Sequence, residues 1–494
     1  MMKNPVIDPD GNSYERDAIF EWLAKNPISP ITRKPLKEQD LVPNRALKDI
    51  IENYLKSTTG PVEEKRELKA RTSDKIKLTA ASTVSETLIQ ILPPEGTTRT
   101  PVDICCVIDT SGSMGSEASV KTSTGKNETH GLVILDIVKH AVKTIIHALD
   151  ANDRLGIVSF DYAAKQCLPL TSMSNAGRNK AVEKLESLDA DGSTNLWDGL
   201  KTGLNLLKGD KDQQRLKVVL LLTDGEPTVV PPRGHIPMLR DFVEDNESAQ
   251  KYLIFTFGFG YDLDSALLND IAKVGNGTYA FIPDCNFVGT VFINSMANLS
   301  TTMATDMMIR LKGLEGASAV EAVGYRVEKV EDEFVLNAGS LRFGQSQEIV
   351  ITHPSNGKDV PQVAVHLRYL DVHNKNELSE TTTLTTPLLQ KSELLCIHEI
   401  RLHAVQKLSQ IIQLPIKESE KLIKDFIVEI KKSPVAKNEY ILDLTKDLEG
   451  QVLESVADMT SWNRWGKHYL PSLAWAHLLQ QCNNFKDPGV QKFG

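Results

Sequence analysis

A chain of 494 residues leaves room for about three or four domains, each large enough to bury its own core. A hydrophobic share of 41% beside 24% charged residues is that of soluble globular proteins, and no apolar run reaches the roughly 20 residues that a membrane span requires. The net charge of -9 argues against a nucleic-acid footprint over the whole chain, although a local basic patch fits inside that total. Met1 is followed by polar and charged residues without an apolar stretch of the kind that directs secretion, so the expected compartment is the cytoplasm, with the nucleus left open. The cysteines, Cys105, Cys106, Cys167, Cys285, Cys396 and Cys482, form no C-x-x-C pair and have no histidine at zinc spacing, and they read as reduced, mostly buried thiols.

The first segment, 1–59, opens with the turn Asp8-Pro9-Asp10-Gly11 and a charged helical pattern from Glu15 to Leu23. Ser29-Pro30, Thr32, Pro35-Leu36 and Pro43-Asn44 then lead into a second predicted helix with Leu47, Ile50, Ile51, Tyr54 and Leu55 on one face. The segment contains neither Cys nor His, which excludes a zinc-bound RING finger. The order NPVIDPDGNSYERDAIFEWL, SPITRKPL and LVPNRALKDII resembles the U-box, the zinc-free relative of the RING finger in ubiquitin ligases. The resemblance implies recruitment of a ubiquitin-charged E2 enzyme and transfer by positioning, with no covalent intermediate on this chain. Arg33, Lys34 and Pro35 would form an E2-facing loop, Arg33 hydrogen-bonding across E2 and ubiquitin, and Trp22 would border the groove. Each has a plainer reading, Trp22 as core and Arg33 as a solvated loop cation. A further E2-facing loop is expected upstream of the position matching Asn4, so the recorded start is expected to be internal to a longer protein or the U-box to be cut down.

Residues 60–74 are charged and polar and read as a linker. Residues 75–98 return to strand-like alternation, and this strand belongs either to the sheet that follows or to the β region after Met308, with a domain inserted between. The central region, 99–303, begins with PVDICCVIDTSGSMG, an apolar strand running into a loop on which Asp109, Ser111 and Ser113 alternate with Thr110 and Gly112. Such a loop aims a carboxylate and two hydroxyls at one point, which suits a hard cation. Thr194 in DGSTNLWDGL and Asp224 in VVLLLTDGEP would complete an oxygen set for Mg²⁺, or for Mn²⁺ or Ca²⁺. The competing reading makes them ordinary turn and cap residues. Residues 115–131, rich in Ser, Thr, Lys and Gly, read as an exposed insertion rather than a packed element. Leu135, Val138, Val142, Ile145 and Leu149 repeat at helical spacing, and the strand-like runs LGIVSF, LKVVLLLT and YLIFTFGF alternate with helices. That alternation predicts a mostly parallel, doubly wound α/β sheet with ligands gathered beyond the carboxyl ends of its strands. Gly258-Phe259-Gly260 lacks the further glycine of a dinucleotide loop, and no histidine stands with a G-x-S-x-G nucleophile.

The five oxygen residues match the Asp-x-Ser-x-Ser, Thr and Asp elements of the metal-ion-dependent adhesion site, and the stretch from Asp103 to Thr302 resembles the von Willebrand factor A domain. The resemblance implies that Ser111, Ser113 and Thr194 touch the ion, that Asp109 and Asp224 act through water, and that one position stays open for an Asp or Glu of a partner protein.

In 304–387, Val363, Val365, Leu367 and Tyr369 alternate with Ala364, His366 and Arg368, which predicts a sandwich-like β domain. The rest, 388–494, reads as a helical tail whose first helix carries Leu394, Ile397, Leu402, Val405, Leu408 and Ile412 as one apolar stripe. The run from Asn463 to Leu470 mixes aromatic and basic residues; it either binds a phosphate-bearing partner or packs Trp462, Trp465 and Tyr469 onto the β domain. The whole order resembles a group of eukaryotic intracellular A-domain proteins. The expected function is a U-box-type E3 ubiquitin-protein ligase that recruits an E2 through the U-box and a protein partner through a Mg²⁺-bearing A domain. Two alternatives stand beside it: a non-enzymatic, metal-dependent adaptor, and vesicle or complex assembly through the same site.

Overall fold

The computed structural model describes residues 5–7, 13–29, 34–43, 75–94, 99–121, 127–208, 215–245, 252–283, 285–314, 317, 319–354, 359–372, 377–482 and 487–493. Arg33, the second helix expected over Leu47 to Leu55, and the expected linker all lie outside them. The chain divides into two units, Met1–Ala70 and Arg71–Gly494. In the first, strands β1 (Pro5–Ile7), β2 (Ser13–Glu15) and β3 (Val42–Pro43) form a small antiparallel sheet beside helix α1 (Arg16–Lys25). Val6, Tyr14, Ile19, Leu23 and Leu36 make its core.

The second unit starts with a hairpin of β4 (Lys77–Ser82) and β5 (Glu86–Leu92). The A-domain region then runs through β6 (Val102–Asp109), β7 (Glu117–Lys121), β8 (Asn127–Val133), α2 (Ile134–Ala148), β9 (Arg154–Phe160), β10 (Ala164–Ser172), α3 (Asn175–Glu186), α4 (Leu196–Lys208), β11 (Leu216–Thr223), α5 (His235–Glu244), β12 (Leu253–Phe259), α6 (Ser265–Val274), β13 (Asn276–Ile282) and α7 (Cys285–Ser300). Its six-stranded sheet has the order β10-β9-β6-β11-β12-β13, all parallel except the edge strand β10. Every residue of β6, β11 and β12 is buried, as expected of parallel strands covered on both faces. α2, α3 and α7 cover one face; α4, α5 and α6, together with the carboxyl-terminal helices, cover the other.

The stretch 115–131, expected as an exposed insertion rather than a packed element, contains β7 and most of β8, which pair as an antiparallel ribbon. Its ladder needs no apolar pattern, and its base is pinned where Ile134 N donates to Ser116 O at 3.1 Å.

After α7 the chain adds β14 (Thr302–Lys312), β15 (Glu321–Ala322), β16 (Val327–Val330), β17 (Glu333–Arg342), β18 (Gln347–Thr352), β19 (Ala364–Asp371), β20 (Glu377–Leu384) and β21 (Thr386–Pro387). These and the first hairpin make two five-stranded sheets, β16-β17-β14-β19-β20 and β15-β18-β5-β4-β21, around one core. β5 pairs antiparallel with β18 from Glu86↔Thr352 to Ile91↔Gln347, so the sandwich draws strands from both sides of the A-domain region. Thr100 N donates to Ser300 O at 2.9 Å, closing the point where the chain leaves the sandwich and returns.

The tail contains α8 (Glu393–Ile411), α9 (Ile416–Lys432), α10 (Glu439–Asp447) and α11 (Lys467–Leu479). Most of the expected stripe of α8 faces inward, with Leu402, Val405 and Leu408 buried and Ile397 and Ile412 packed partly buried on the same core, while Leu394 is 38% exposed and Leu395, His398 and Arg401 are buried beside the stripe. Arg401, 0% exposed, is held there by neutral groups on three sides. It donates to the carbonyls of His477 (2.6 Å), Leu478 (3.0 Å) and Glu348 (2.7 Å) and to His398 Nδ1 (3.1 Å). The aromatic-basic run also lies elsewhere than expected, against the A-domain region rather than the β domain. The Arg464 guanidinium sits 5.1 Å from the centre of the Tyr261 ring, the carbonyl of Lys467 accepts from the Ser265 hydroxyl at 3.3 Å, and Trp475 Nε1 donates to Asn269 at 2.8 Å. No helix among the described residues is long and apolar enough to cross a membrane.

Candidate functional site: an oxygen cluster at the carboxyl end of the central sheet

β6 and β11 are neighbours, and their carboxyl ends place Asp109 and Asp224 side by side where the strand order turns outward in both directions. Asp109 ends β6, and its Oδ1 accepts from the backbone of Ser111 at 2.8 Å, which folds the loop back over the strand end. The turn Gly112–Gly115 follows, anchored by the buried Met114 side chain. The Ser111 and Ser113 hydroxyls lie 3.1 Å apart, and Ser113 donates to Asp224 Oδ1 at 2.9 Å. Four of the five oxygen residues therefore share one hydrogen-bonded cluster.

Thr194 is buried, and its segment is held beside the same loop through the backbone. Gly112 N donates to Gly192 O at 3.1 Å, and Asp191 N donates to Thr110 O at 2.8 Å. A Cβ at Gly112 would stand 3.5 Å from that Gly192 oxygen, and one at Gly225 would stand 3.5 Å from the Ser113 hydroxyl, so all three segments meet closely. Gly192 has φ +83, a left-handed conformation that glycine adopts without strain.

Burial raises the Asp109 carboxyl above the usual carboxylate range, against the pull of its hydrogen bonds from Ser111 and Thr223. Asp224 is pushed up to about 7, first by burial and then by the charge of Asp109. Burial, hydrogen bonds and neighbouring carboxylates, Asp161 for Asp109 and Asp262 for Asp224, act on the two acids. Two buried carboxylates bonded by hydroxyls and backbone amides, with further carboxylates nearby, fit a hard divalent cation, which would remove their mutual repulsion. Among the described residues no group of three or more His, Cys, Asp or Glu side chains could hold a metal ion, so hydroxyls would have to supply much of the coordination here. Gly112 and Ser113 are exposed and mark the open side. Tyr162, 63% exposed, and Val230, 65% exposed, stand on loops bonded to the Thr194 segment, where Asn195 Nδ2 donates to Tyr162 O (3.1 Å) and Val229 N to Thr194 O (3.3 Å).

Two supporting residues escaped the sequence reading. Thr223 donates to Asp109 Oδ2, and Thr228 Oγ1 accepts from Thr194 N at 2.8 Å. Thr223 could have been found, since it precedes Asp224 directly; Thr228 carries no such signal.

In the first unit, Trp22 is half-buried against the small core, and its indole N–H donates to Ile28 O at 2.9 Å. Ser29 N donates to Lys34 O at 2.8 Å, Tyr14 and Ser29 hydroxyls lie 3.0 Å apart, and Leu36 is buried. Lys34 and Pro35 are thus exposed on a loop braced at both ends, with Trp22 as one brace. Arg33 lies outside the described residues.

The sheet order and the oxygen cluster define an A-type α/β domain. Residues 103–292 match the von Willebrand factor type A domain family, residues 1–60 match the U-box domain, and residues 438–494 match a family described as VWA / Hh protein intein-like. A solved structure of von Willebrand factor type A from Catenulispora acidiphila superposes over 78% of this chain and 92% of its own, with a TM-score of 0.57 at 14% identity. Human inter-alpha-trypsin inhibitor heavy chain H4 is 29% identical over 197 residues, 38% of this chain and 19% of its own length. WD repeat, SAM and U-box domain-containing protein 1 of Danio rerio is 55% identical over 49 residues, 10% of each chain. E3 ubiquitin-protein ligase WAV3 of Arabidopsis thaliana is 28% identical over 129 residues, 26% of this chain and 15% of its own. The first curated relatives are matched over only 19% to 53% of their length. The chain carries a U-box and a von Willebrand factor A domain, the latter followed by a β region and a helical tail, and this pairing supports an E3-like or adaptor role.

Proposed function

We propose that this chain is a U-box-type E3 ubiquitin-protein ligase, or the part of one that selects its partner, and that its A domain captures a carboxylate-bearing protein through Mg²⁺. The observation that carries the reading is the cluster of Asp109, Ser111, Ser113 and Asp224, closed by hydrogen bonds around two buried acids. Ser111, Ser113 and Thr194 would hold the ion directly, with Asp109 and Asp224 bonded to its waters. When bound, the ion offers an open coordination position to an Asp or Glu of the partner. The protein's own residues set the direction of approach, because Ser111 and Asp109 are buried while Ser113 faces solvent. In the U-box, the braced loop at Lys34 and Pro35, with Arg33, would receive the E2, and transfer would follow from holding the charged E2 near a captured lysine.

Two measurements test this. Titration of Mg²⁺ into the full chain should give one saturable site that disappears in Asp109→Ala, and the absence of such a site overturns the metal reading. Incubation with ubiquitin, E1 and a panel of E2 enzymes should yield ubiquitin chains that Arg33→Ala abolishes. If no E2 yields chains while metal-dependent capture persists, the protein is an adaptor rather than a ligase.

A further inference from the structure

At the amino end of the same sheet, a cleft of about 600 Å³ opens where three parts of the second unit meet. α5, α6 and the start of β13 form one wall, the sandwich around Arg342 a second, and the end of α11 with the residues after it the third. In a chain of net charge -9, this cleft is lined by four cations, Arg240, Lys273, Arg326 and Arg342, against one carboxylate, Glu244.

Arg342 is the most confined of the four. Its Nε donates to Gln345 Oε1 at 2.9 Å and its Nη2 to the carbonyl of Leu479 at 3.1 Å, and the side-chain oxygen of Gln481 accepts from the same guanidinium once that amide is oriented to satisfy both partners. Every one of these acceptors is neutral. Burial lowers the guanidinium to about 10, with Tyr325 opposing it, and this half-buried side chain makes no ion pair among the described residues. Burying a cation against neutral acceptors alone is costly, and a bound anion removes that cost. The other three are at most weakly paired. Arg240 is exposed and makes no ion pair among the described residues, while Lys273 reaches Asp270 (3.2 Å) and Arg326 reaches Glu328 (2.9 Å) only in solvent-exposed pairs.

We propose that this cleft binds a small metabolite bearing two or more phosphate groups, bridging the A domain, the sandwich and the tail. Arginine forks match phosphate oxygens two at a time, and each phosphate brings close to two negative charges at neutral pH, so two suffice for the excess of cations over Glu244. A cleft of this volume admits such a molecule. All three walls belong to parts joined through long stretches of chain, so occupation would hold them together without touching the oxygen cluster at the other end of the strands.

The experiment uses the full chain in EDTA, which keeps divalent ions off the carboxyl-end site and makes the outcome independent of the metal reading. Inorganic pyrophosphate and inositol hexakisphosphate are titrated by calorimetry at constant ionic strength. One saturable site is expected for at least one probe. Arg342→Gln and Arg240→Glu should each weaken it by about tenfold or more, the size expected for loss of a charge-assisted contact. Arg240→Glu changes an exposed side chain, so the test stands even where Arg342→Gln does not fold. Lys424→Glu, at an exposed cation on α9, should leave binding unchanged. Absence of saturable binding by both probes, equal binding by wild type and Arg240→Glu, or an equal loss in Lys424→Glu would each overturn the proposal.

Discussion

The two ends of the central sheet hold opposite kinds of charge for opposite reasons. At the carboxyl end, Asp109 and Asp224 are both buried, with the further carboxylates Asp161 and Asp262 acting on them. At the amino end, Arg342 is confined among neutral acceptors with three more cations around it. A parallel sheet dictates the first arrangement, because every strand delivers its following loop to the same edge. The second is assembled from different layers, the cations arriving on α5, at the end of α6, and on the sandwich. A site made by strand ends can be written into a short motif; a site made by packing cannot.

The comparison breaks most completely through Asp109→Ala. Mg²⁺ binding should fall by about 100-fold or more, in line with loss of a buried charged partner, while pyrophosphate binding at the other end stays within error; calorimetry with both ligands reads the two effects. If both fall together, the two ends are not independent. Next in size is Arg401→Ala, expected to lower stability by about 3–5 kcal/mol in chemical denaturation because it strips the donors from three buried carbonyls. Two of those carbonyls, of His477 and Leu478, belong to the end of α11 that walls the cationic cleft, so anion binding should weaken along with stability.

Proton linkage sharpens the contrast. Asp224 is raised to about 7 in the folded protein, whereas an unfolded Asp titrates near ~3.9, so the folded state without metal binds this proton more tightly. Its contribution to stability is fully present below the unfolded value and is lost as pH rises through about 7. Mg²⁺ must displace the same proton, and its affinity should drop by about tenfold per pH unit below that point, a slope that Asp224→Asn flattens. Ser113→Ala should have a smaller effect, about tenfold on Mg²⁺ affinity with stability changed by less than about 1 kcal/mol, because the hydroxyl is exposed. Leu389→Ser, at a residue 99% exposed, should alter stability by no more than about 0.5 kcal/mol and neither ligand at all.

What the sequence disclosed follows the same division. The all-apolar runs of β6, β11 and β12 announce a sheet covered on both sides, and Asp109-x-Ser-x-Ser sits where such a strand must end. The U-box segment is equally legible, since its turns and helix follow in a fixed order over few residues. Other features depend on partners far along the chain. The ribbon of β7 and β8 has the polar composition of a loop because its order comes from a backbone ladder. The stripe of α8 is largely legible, but periodicity counts leucines and cannot see that Arg401 also turns inward, toward carbonyls 53 to 77 positions away in sequence. The four cations of the amino-end cleft, at 240, 273, 326 and 342, share no spacing at all.

The bond between Thr100 N and Ser300 O has a practical corollary for how this protein is put together. A segment of about two hundred residues that begins and finishes at one spot behaves as a cassette. It can mature on the ribosome before the strands that flank it have met, and Thr87 need only wait for Ile351 to appear. Evolution, or an engineer, can exchange such a cassette for another recognition head provided that the face packed on the carboxyl-terminal helices is kept.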